Sequence, residues 1–414
     1  MNSPTAARMD RSSIRLAHRA TQVPPSATAA LDAHAKSLIA DGVDVINLTS
    51  GEPSFPTVEP AARAAVSAIT EDFTRYTAAA GIPELRAAVA TYLNRHNTAY
   101  EAANVVVSAG AKQALQYAFT VLLEPGDEVL IPAPYWVSYP HLVSLAGGRP
   151  IEVHPAPGNG LKITPEQVRA ALTPRTRVLL LNSPANPSGV VYSHDELSEL
   201  AALAVEYDLT IVSDEICDHW VYGDAEFTSV AALSPDVAQR TITIGGVSKT
   251  FAMTGWRIGW TAAPVEVAKA IAAVQSHTAS APSSISQRAA LGALTTDLDA
   301  ELAKRRDELD ERRKTTLQAI ADIPGLSLDA DPQGAFFVFA NVSGTYGLQT
   351  EGRTIRTAAD FAELLLSQAN VAVVPGADFA APDHVRISYT VPADRLAEAL
   401  SRIARFTAAL SPAA

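Results

Sequence analysis

The stretch TITIGGVSKTFAMTGWRIGW places Lys249 among apolar residues, just after a β-branched run that predicts a strand. A lysine in apolar surroundings is most often exposed, with its stem along the surface and its charge in water. A buried lysine has a lowered pKa instead, because burial penalises the ammonium form, and its neutral amine can attack a carbonyl. Such an amine fits a Schiff base with pyridoxal phosphate.

A second stretch, IVSDEICDHW, sets Asp214 and Glu215 directly after another apolar β-branched run. An aspartate at a strand end is either a functional carboxylate or a helix cap. The same stretch contains Cys217, the only cysteine of the chain. Because this thiol has no cysteine partner and the nucleophile is expected to be Lys249, we predict that it is neither a nucleophile nor a metal ligand.

Other stretches carry polar or aromatic residues between apolar segments. VVVSAGAKQAL predicts a strand, a small-residue turn and a helix start whose N–H groups suit a phosphate, although many strand–helix turns share this composition. NSPANPSG is a rigid turn around Asn186, and Trp136 in PAPYWVSYP is by itself typical of core packing. DHVRISYT puts Arg386 in a predicted strand, where a buried arginine needs a partner, either an internal acid or a bound carboxylate.

Short apolar runs alternate with longer helical patterns through most of the chain. The predicted strands are Asn104–Ser108, Glu128–Ile131, Arg177–Leu181, Thr210–Ser213, Thr241–Ile244 and Ile258–Thr261. The predicted helices include Pro83–Arg95 before the first of these strands, Asp195–Glu206 among them and Pro264–Ser276 after the last. This alternation indicates an α/β layer with a mostly parallel sheet, and ligands of such sheets bind beyond the carboxyl ends of the strands.

The pattern changes near Thr296 and predicts a separate α+β unit. A long charged helix, Asp297–Ile320, precedes the strand-like GAFFVFANV, a helix near Ala358–Gln368, the strands VAVVP and HVRISYT, and a last helix. Because charges of both signs are interspersed along the long helix, we interpret it as a solvated face.

The bulk composition is that of a folded protein with more than one domain. The chain has 414 residues, of which 48% are hydrophobic and 18% charged, and a formal net charge of −12. This length predicts two or three domains, or one large domain with a smaller one attached. The acidic balance argues against general binding of nucleic acid.

The cysteine count and the apolar patterning predict a cellular compartment. A single cysteine forms no internal disulfide, so the chain needs no oxidising environment. The N-terminal MNSPTAARMDRSSIRLAHRA lacks an apolar core and is not predicted to be a secretory signal. No stretch of about 18 residues is both apolar and free of charge, so no membrane span is predicted. We expect a soluble, cytoplasmic protein.

The spacing S-K-x-x-x-x-x-G-x-R-x-G around Lys249 resembles that of the class I aminotransferases, which have the type I fold of pyridoxal-phosphate enzymes. YTAAAGIPELR, GAKQAL, PYWVSYP, FAMTGWRIG, VAVVPGADF and HVRISY are similar to the bacterial aspartate/prephenate branch of that family. The resemblance implies a large domain with a mostly parallel seven-stranded sheet flanked by helices, and a smaller α+β domain built from both chain ends. The implied divisions are 1–58 for the N-terminal arm and part of the small domain, 59–296 for the large domain and 297–414 for the rest.

The resemblance also implies which residues bind pyridoxal 5′-phosphate. Lys249 would form the Schiff base, and Asp214 would pair with the pyridine nitrogen and keep it protonated, so that the ring can accept electrons. The further residues implied to contact the cofactor are Tyr76, Gly110, Ala111, Lys112, Trp136, Asn186, Cys217, Ser248 and Arg257. Of these, the residues implied to hold the phosphate are Gly110, Ala111, Ser248 and Arg257, while the ring of Trp136 would stack on the pyridine. No metal is implied.

For the reaction, the resemblance implies transamination between an L-amino acid and a 2-oxo acid, with Lys249 as the base and then the acid. Arg386 would clamp the α-carboxylate of the substrate, and Lys112 would help bind the distal carboxylate of aspartate or glutamate. The other residues implied to face the substrate are Gly51, Trp136 and Asn186. A homodimer is implied as well, in which Tyr76 reaches the cofactor phosphate of the neighbouring subunit.

The chain departs from the family pattern at two positions, which leaves alternatives open. The nearest branch carries a basic residue immediately before its PSAT motif, whereas this chain has Pro24, and the family tyrosine of D-E-x-Y is replaced by Cys217. An aminotransferase for an aromatic or specialised amino acid is therefore an alternative, as is a lyase, synthase or oxidase on the same fold. A regulatory protein with an added DNA-binding domain is disfavoured, because only about 45 residues precede the first loop motif and they show no helix-turn-helix pattern.

The replacement at position 217 yields a first prediction. In the family, the tyrosine hydroxyl donates to the phenolic oxygen of the cofactor and lowers the pKa of the Schiff base, whereas a thiol is a weaker donor. We expect Cys217→Tyr to move the absorbance titration of the cofactor to lower pH. An unchanged titration, or one moved to higher pH, would contradict this expectation.

Overall fold

The structure is a computed structural model that describes residues 14, 16–17, 21, 23–24 and 27–413. Much of the first 26 residues of the segment 1–58 therefore lies outside the described residues, including Pro25 and Ser26 of the PSAT motif. None of the helices in the described ranges is long and apolar enough to cross a membrane.

Helices and strands alternate along the described chain. The helices are α1 (Ala27–Ala40), α2 (Glu59–Thr70), α3 (Pro83–Asn94), α4 (Ala111–Leu122), α5 (Tyr139–Leu145), α6 (Pro165–Ala171), α7 (His194–Glu206), α8 (Pro235–Ala238), α9 (Val265–Thr278), α10 (Ser284–Thr295), α11 (Asp299–Asp322), α12 (Ala358–Ala369) and α13 (Ala393–Ala408). The strands are β1 (Ile46–Asn47), β2 (Val105–Ser108), β3 (Glu128–Pro132), β4 (Arg149–Val153), β5 (Thr176–Asn182), β6 (Thr210–Asp214), β7 (Thr241–Gly246), β8 (Gly259–Ala262), β9 (Ser327–Leu328), β10 (Phe337–Asn341), β11 (Leu348–Thr350), β12 (Arg353–Thr354), β13 (Val371–Ala372), β14 (Val374–Pro375), β15 (His384–Ser388) and β16 (Ser411–Pro412).

A seven-stranded sheet forms the larger layer, in the order β2-β8-β7-β6-β5-β3-β4. Its strands pair in parallel except for β8, which is antiparallel to both neighbours, so the predicted mostly parallel sheet is confirmed. The six predicted strands are present with small shifts at their ends, whereas β4 was not predicted. β4 is an edge strand of sequence RPIEV, and its proline and partial exposure remove the apolar signal of a central strand.

The central strands bring the two stretches with candidate chemistry to the same edge of the sheet. Strands β5 and β6 are in register so that Asn182 lies opposite Asp214 at their carboxyl ends. Strand β7 is parallel to β6 and ends at Gly246, three residues before Lys249. Because parallel strands share one carboxyl edge, residues far apart in sequence meet there.

The second layer is a four-stranded sheet in the order β14-β15-β10-β9, built from antiparallel pairs. Its strand β15 contains Arg386, which lies opposite Phe339 on β10. Strand β1 pairs in parallel with β13, so a segment near the start of the described chain joins the C-terminal unit. Ile46 and Leu48 pack in the same core cluster as Phe336 and Phe361.

The interpretation of the long charged helix as a solvated face is wrong for one side of α11. Arg305, Arg312 and Arg313 are buried there beside Leu309 and Ile320. Each of these arginines has an acidic partner three or four residues earlier on the same helix. Pairing within the helix offsets part of the cost of removing a guanidinium from water, which allows α11 to pack its charged residues inward.

The burial of α11 predicts an asymmetric response to truncation. Leu309 is fully buried, so Leu309→Ala should lower the free energy of unfolding by about 3 kcal/mol through lost packing and a residual cavity. Lys304 is exposed on the same helix, and Lys304→Ala should change it by less than about 0.5 kcal/mol. Denaturant unfolding of both variants measures the difference, and equal values would contradict the packing of α11.

Candidate active site

A cavity of about 510 Å³ opens at the carboxyl edge of the large sheet, between that sheet and the second layer. Its lining combines residues from β5, β6, the turn after β7, α4 and β15. The predicted site residues that line it are Gly51, Ala111, Lys112, Trp136, Asn186, Asp214, Cys217, Ser248, Lys249, Arg257 and Arg386. The cavity therefore gathers residues from both predicted units.

Lys249 lies in the turn after β7 and its side chain is partly buried. Its Nζ donates a hydrogen bond of 2.6 Å to the carbonyl of Gly51 and lies 5.9 Å from the centre of the Phe336 ring. Burial lowers the pKa of Lys249 below its ordinary value. The nearby Arg386 and Arg257 act in the same direction, although Cys217 and Glu52 oppose them. The site thus favours the neutral amine, which is the nucleophilic form.

Asp214 ends β6 and is buried. Burial raises the pKa of its carboxyl, and hydrogen bonds to the carboxylate act against that rise. The hydroxyl of Tyr139 donates to Oδ2 at 2.7 Å and the backbone N–H of Ile216 donates to Oδ1 at 3.2 Å. The side-chain amide of Asn182 also donates to the Asp214 carbonyl at 2.9 Å, which fixes the backbone at the strand end.

Sequence reasoning missed Tyr139. The residue is fully buried at the start of α5, and its contact with Asp214 joins positions 75 residues apart. The motif PYWVSYP contains Tyr139, but only its Trp136 was predicted to contact the cofactor. That tryptophan ring lies 5.3 Å from the Tyr139 ring at 84°, so the two aromatic side chains form one edge-to-face pair on the cavity wall.

Gly110, Arg257 and the start of α4 form a tight cradle. Gly110 has φ of +88° and caps α4, and a Cβ atom at this position would lie 2.5 Å from Nη2 of Arg257. Gly259 is equally confined, because a Cβ there would lie 2.3 Å from the backbone nitrogen of Ala111. The unpaired N–H groups of the first helical turn and the guanidinium of Arg257 together suit an oxyanion such as a phosphate.

Among the described residues, the guanidinium of Arg257 is positioned by backbone groups and forms no ion pair with an acid. Nη1 donates to the Thr254 carbonyl at 3.2 Å and Nη2 to the Ala109 carbonyl at 3.4 Å. The residue itself adopts a left-handed conformation with φ of +56°. Ser248 is buried beside it on the cavity wall. The charge of Arg257 is therefore available to a bound anion.

Arg386 is buried on β15 with incomplete hydrogen bonding. Its Nη1 donates to Oδ1 of Asn186 at 3.0 Å and its Nη2 donates to the Thr49 carbonyl at 2.8 Å. Its Nε has no partner among the described residues. The guanidinium lies 4.4 Å from the Phe337 ring and 5.2 Å from the Phe379 ring. Burial lowers the pKa of Arg386 to about 9, and a bound anion would offset part of the cost of burying its charge.

Lys112 and Cys217 occupy opposite kinds of environment. Nζ of Lys112 lies 4.9 Å from the centre of the Trp136 ring, at the rim of the cavity. Partial burial and the charge of Arg257 lower the pKa of Lys112.

Cys217 is buried, and burial raises its pKa to about 12, so the group present is a thiol and not a thiolate. A buried thiol of this kind is not activated as a nucleophile.

Two predicted residues lie outside the cavity lining. Gly110 lies directly behind Arg257, as the cradle requires. Tyr76 is 96% exposed and does not line the cavity, so its own chain gives it no contact with the site. The described residues contain no group of three or more His, Cys, Asp or Glu side chains that could hold a metal ion.

Glu215, next to Asp214, points away from this chemistry. Its Oε1 accepts hydrogen bonds from Ser213 Oγ at 2.8 Å and from the Val230 N–H at 3.0 Å. Burial raises the pKa of Glu215 to about 7. The carboxyl therefore ties the end of β6 to the segment at Val230 and does not line the cavity.

The fold and the cavity are those of a transaminase, and comparison with known proteins shows the family. The sequence model of aminotransferase class I and II matches residues 43–403, so this chain belongs to that family. It is 43% identical to an aspartate aminotransferase of Streptomyces avermitilis over 94% of this chain and 95% of that protein. It is also 43% identical to an aspartate/prephenate aminotransferase of Cereibacter sphaeroides over 94% and 98% of the two chains.

Solved structures agree with this assignment. An aspartate aminotransferase from Rhizobium meliloti superposes with a TM-score of 0.92 at 40% identity, covering 96% of this chain and all of the other. The Thermus thermophilus aspartate aminotransferase with maleate superposes with a TM-score of 0.89 at 42% identity, covering 95% of this chain and all of that one. The predicted fold, with its large and mostly parallel sheet, is confirmed.

The environment of Glu215 predicts a pH-dependent stability. Its pKa lies above the ordinary 4.5 in the folded protein, so its contribution to stability is complete below about pH 4.5 and is lost as the pH rises through about 7. Glu215→Gln keeps an acceptor oxygen without the charge, and should reduce this loss by roughly 2–3 kcal/mol. Denaturant unfolding at pH 5 and pH 8 measures it, with the exposed Glu199→Gln as control. An equal loss in Glu215→Gln and wild type would contradict the prediction.

Proposed function

We propose that this chain is a pyridoxal 5′-phosphate-dependent aminotransferase that moves the amino group of aspartate or glutamate to a 2-oxo acid. The observation that carries the proposal is the partly buried amine of Lys249, with its lowered pKa, in a cavity that Asp214, Arg257 and Arg386 also line. Lys249 would be the nucleophile and Asp214 the partner of the pyridine nitrogen. Arg257 and Arg386 would bind two separate anions, the phosphate and the substrate carboxylate.

The described residues fit the cofactor. The cradle of Gly110, Ala111 and Arg257 leaves no room for a Cβ atom and suits the phosphate, with Ser248 beside it. Asp214 is a buried carboxyl suited to the pyridine nitrogen. When bound, the cofactor supplies a ring that withdraws electrons from the substrate α-carbon. The remaining residues that would surround the ring are Trp136, Asn186 and Cys217.

Lys249 would hold the cofactor covalently through its amine. The lowered pKa of Lys249 increases the share of its neutral amine, which is the form that would take a proton from the substrate α-carbon and return one. The carbonyl of Gly51 accepts a hydrogen bond from Nζ and so directs the amine within the cavity. Tyr139 supports this arrangement by donating to Asp214 and keeping its carboxylate oriented.

The substrate assignment rests on two cationic side chains. Arg386 has an unsatisfied Nε and two donors held by neutral oxygens, which suits a bidentate contact with the α-carboxylate. Lys112 at the rim offers a second positive charge for a distal carboxylate. A relative of 42% identity has been solved with the dicarboxylate maleate, which supports a dicarboxylic substrate. Pro24 stands where the nearest branch has a basic residue and supplies no charge, so of positions 24 and 112 only Lys112 would contact the distal carboxylate.

The assembly and the domain division are also part of the proposal. Tyr76 is 96% exposed, and Val66 and Ile69 on α2 are exposed as well, which fits a homodimer in which Tyr76 completes the site of the neighbouring subunit. The divisions 1–58, 59–296 and 297–414 agree with the separate sheets and with the pairing of β1 and β13. We propose the cytoplasm as the location.

The test is a set of half-reactions followed by absorbance. The holoenzyme should convert its cofactor with aspartate and glutamate, whereas Lys249→Ala should lose turnover by at least about a thousandfold. Arg386→Gln should mainly raise KM by about a hundredfold, because it removes the carboxylate partner. Conversion only with aromatic or other amino acids would overturn the substrate assignment, and release of ammonia without an oxo acid and aminated product would favour a lyase or oxidase.

A further inference from the structure

The loop Gly51–Thr57 is tied to the segment that contains Lys249. Besides the contact of Gly51 with Lys249, the hydroxyl of Thr254 donates to Glu52 at 2.5 Å. Farther along, Thr57 donates to the Ala252 carbonyl at 3.1 Å and accepts from the indole N–H of Trp256 at 3.0 Å. Any displacement of this loop is therefore transmitted to the lysine segment at several points.

The opposite side of the loop is held by Phe55. Its ring stacks on Trp220, with centroids 6.4 Å apart and planes inclined at 23°. The guanidinium carbons of Arg305 and Arg312 lie 5.2 Å and 5.8 Å from the ring centre. Phe55 is thus enclosed by an indole from the turn after β6 and by two cations of helix α11.

The two arginines are buried more completely than their hydrogen bonds explain. Their side chains are 9% and 7% exposed, yet Nη1 of Arg305 and Nε of Arg312 have no hydrogen-bond partner among the described residues. Each is paired with one glutamate on the same helix, Glu301 or Glu308, and those glutamates are 42% and 48% exposed. Attraction to the face of an aromatic ring supplies the missing partner for a guanidinium in this setting.

Arg312 also reaches the strand that contains the proposed substrate clamp. Its Nη1 donates to the Thr390 carbonyl at 2.7 Å and to Ser54 Oγ at 3.3 Å. The hydroxyl of Ser54 donates to the same carbonyl. Thr390 follows β15, four residues after Arg386. One guanidinium therefore joins the loop of Gly51 to the end of the Arg386 strand.

We propose that Arg305 and Arg312, acting through Phe55, are positioning residues for the reaction. They fix the loop that presents the Gly51 carbonyl to Lys249, and Arg312 also fixes the distance between that loop and the Arg386 strand. This inference rests on the proposed roles of Lys249 and Arg386. It assigns a role to two arginines that do not line the cavity.

The test compares the holoenzyme with variants of Phe55, of Arg312 and of a matched control arginine. Phe55→Leu and Arg312→Gln should each lower kcat/KM about tenfold, while Phe55→Tyr, which keeps the aromatic face, should stay within about twofold. The combined variant Phe55→Leu/Arg312→Gln should lose less than the product of the two single losses, because both variants remove the contact between Phe55 and Arg312. Arg306→Gln is the control, since Arg306 lies on the same helix but is 42% exposed.

Two further readouts separate positioning from a structural role. The pH midpoint of the absorbance titration of the cofactor at Lys249 should move in Phe55→Leu and Arg312→Gln but not in Arg306→Gln. Lowered thermal stability with an unchanged titration and unchanged kcat/KM would overturn the proposal, as would losses in the double variant that multiply. If Arg312→Gln does not fold, the comparison of Phe55→Leu with Phe55→Tyr decides the question. An inactive wild type would contradict the proposed function itself, whereas an active wild type with unaffected variants contradicts only this inference.

Discussion

The burial of one amine is the constraint on which the other site features depend. Lys249 lies where hydration is lost, close to Arg386 and Arg257, so its charged form is disfavoured from several directions. Lysines are rarely found in such surroundings. Lys249 is placed there because it follows the end of β7, and its Nζ donates a hydrogen bond to the Gly51 carbonyl. That position lowers the pKa of Lys249 and so increases the share of the neutral amine.

The arginines that line the cavity are positioned by neutral groups. Arg386 is held by an amide oxygen and a carbonyl, and Arg257 by two carbonyls. In the part of the chain that the structure describes, neither forms an ion pair with a carboxylate. Aromatic faces stabilise Arg386, as they do the two arginines that enclose Phe55. Weak neutral partners fix the direction of a guanidinium and leave its charge for an anionic ligand, which a salt bridge would not allow.

The sequence was most informative where one residue type stands out locally, and least where its meaning depends on distant partners. Apolar runs located the central strands, and the setting of Lys249 and Asp214 at strand ends placed both beside the cavity. Strand β4 was missed because its proline and exposed residues hide the pattern of an edge strand. Tyr139 was missed because its partner is 75 residues away, and the buried side of α11 was misread because charged residues face the core only when folded contacts compensate them. The implied role of Tyr76 concerns another subunit, and its own chain leaves it exposed.

The pairing of β1 with β13 affects the order in which the parts of the protein can fold during synthesis. The Arg386 guanidinium bonds the Thr49 carbonyl across 337 residues of chain, and the strands of the large sheet are all synthesised between those two points. The sheet that carries Lys249 can therefore collapse while the ribosome is still translating. The contact between Arg386 and the Thr49 carbonyl can form only after almost the whole polypeptide has emerged. For the same reason, Ile46 cannot pair with Val371 until late in translation. A truncated chain would consequently retain the lysine but lack a completed wall for the substrate.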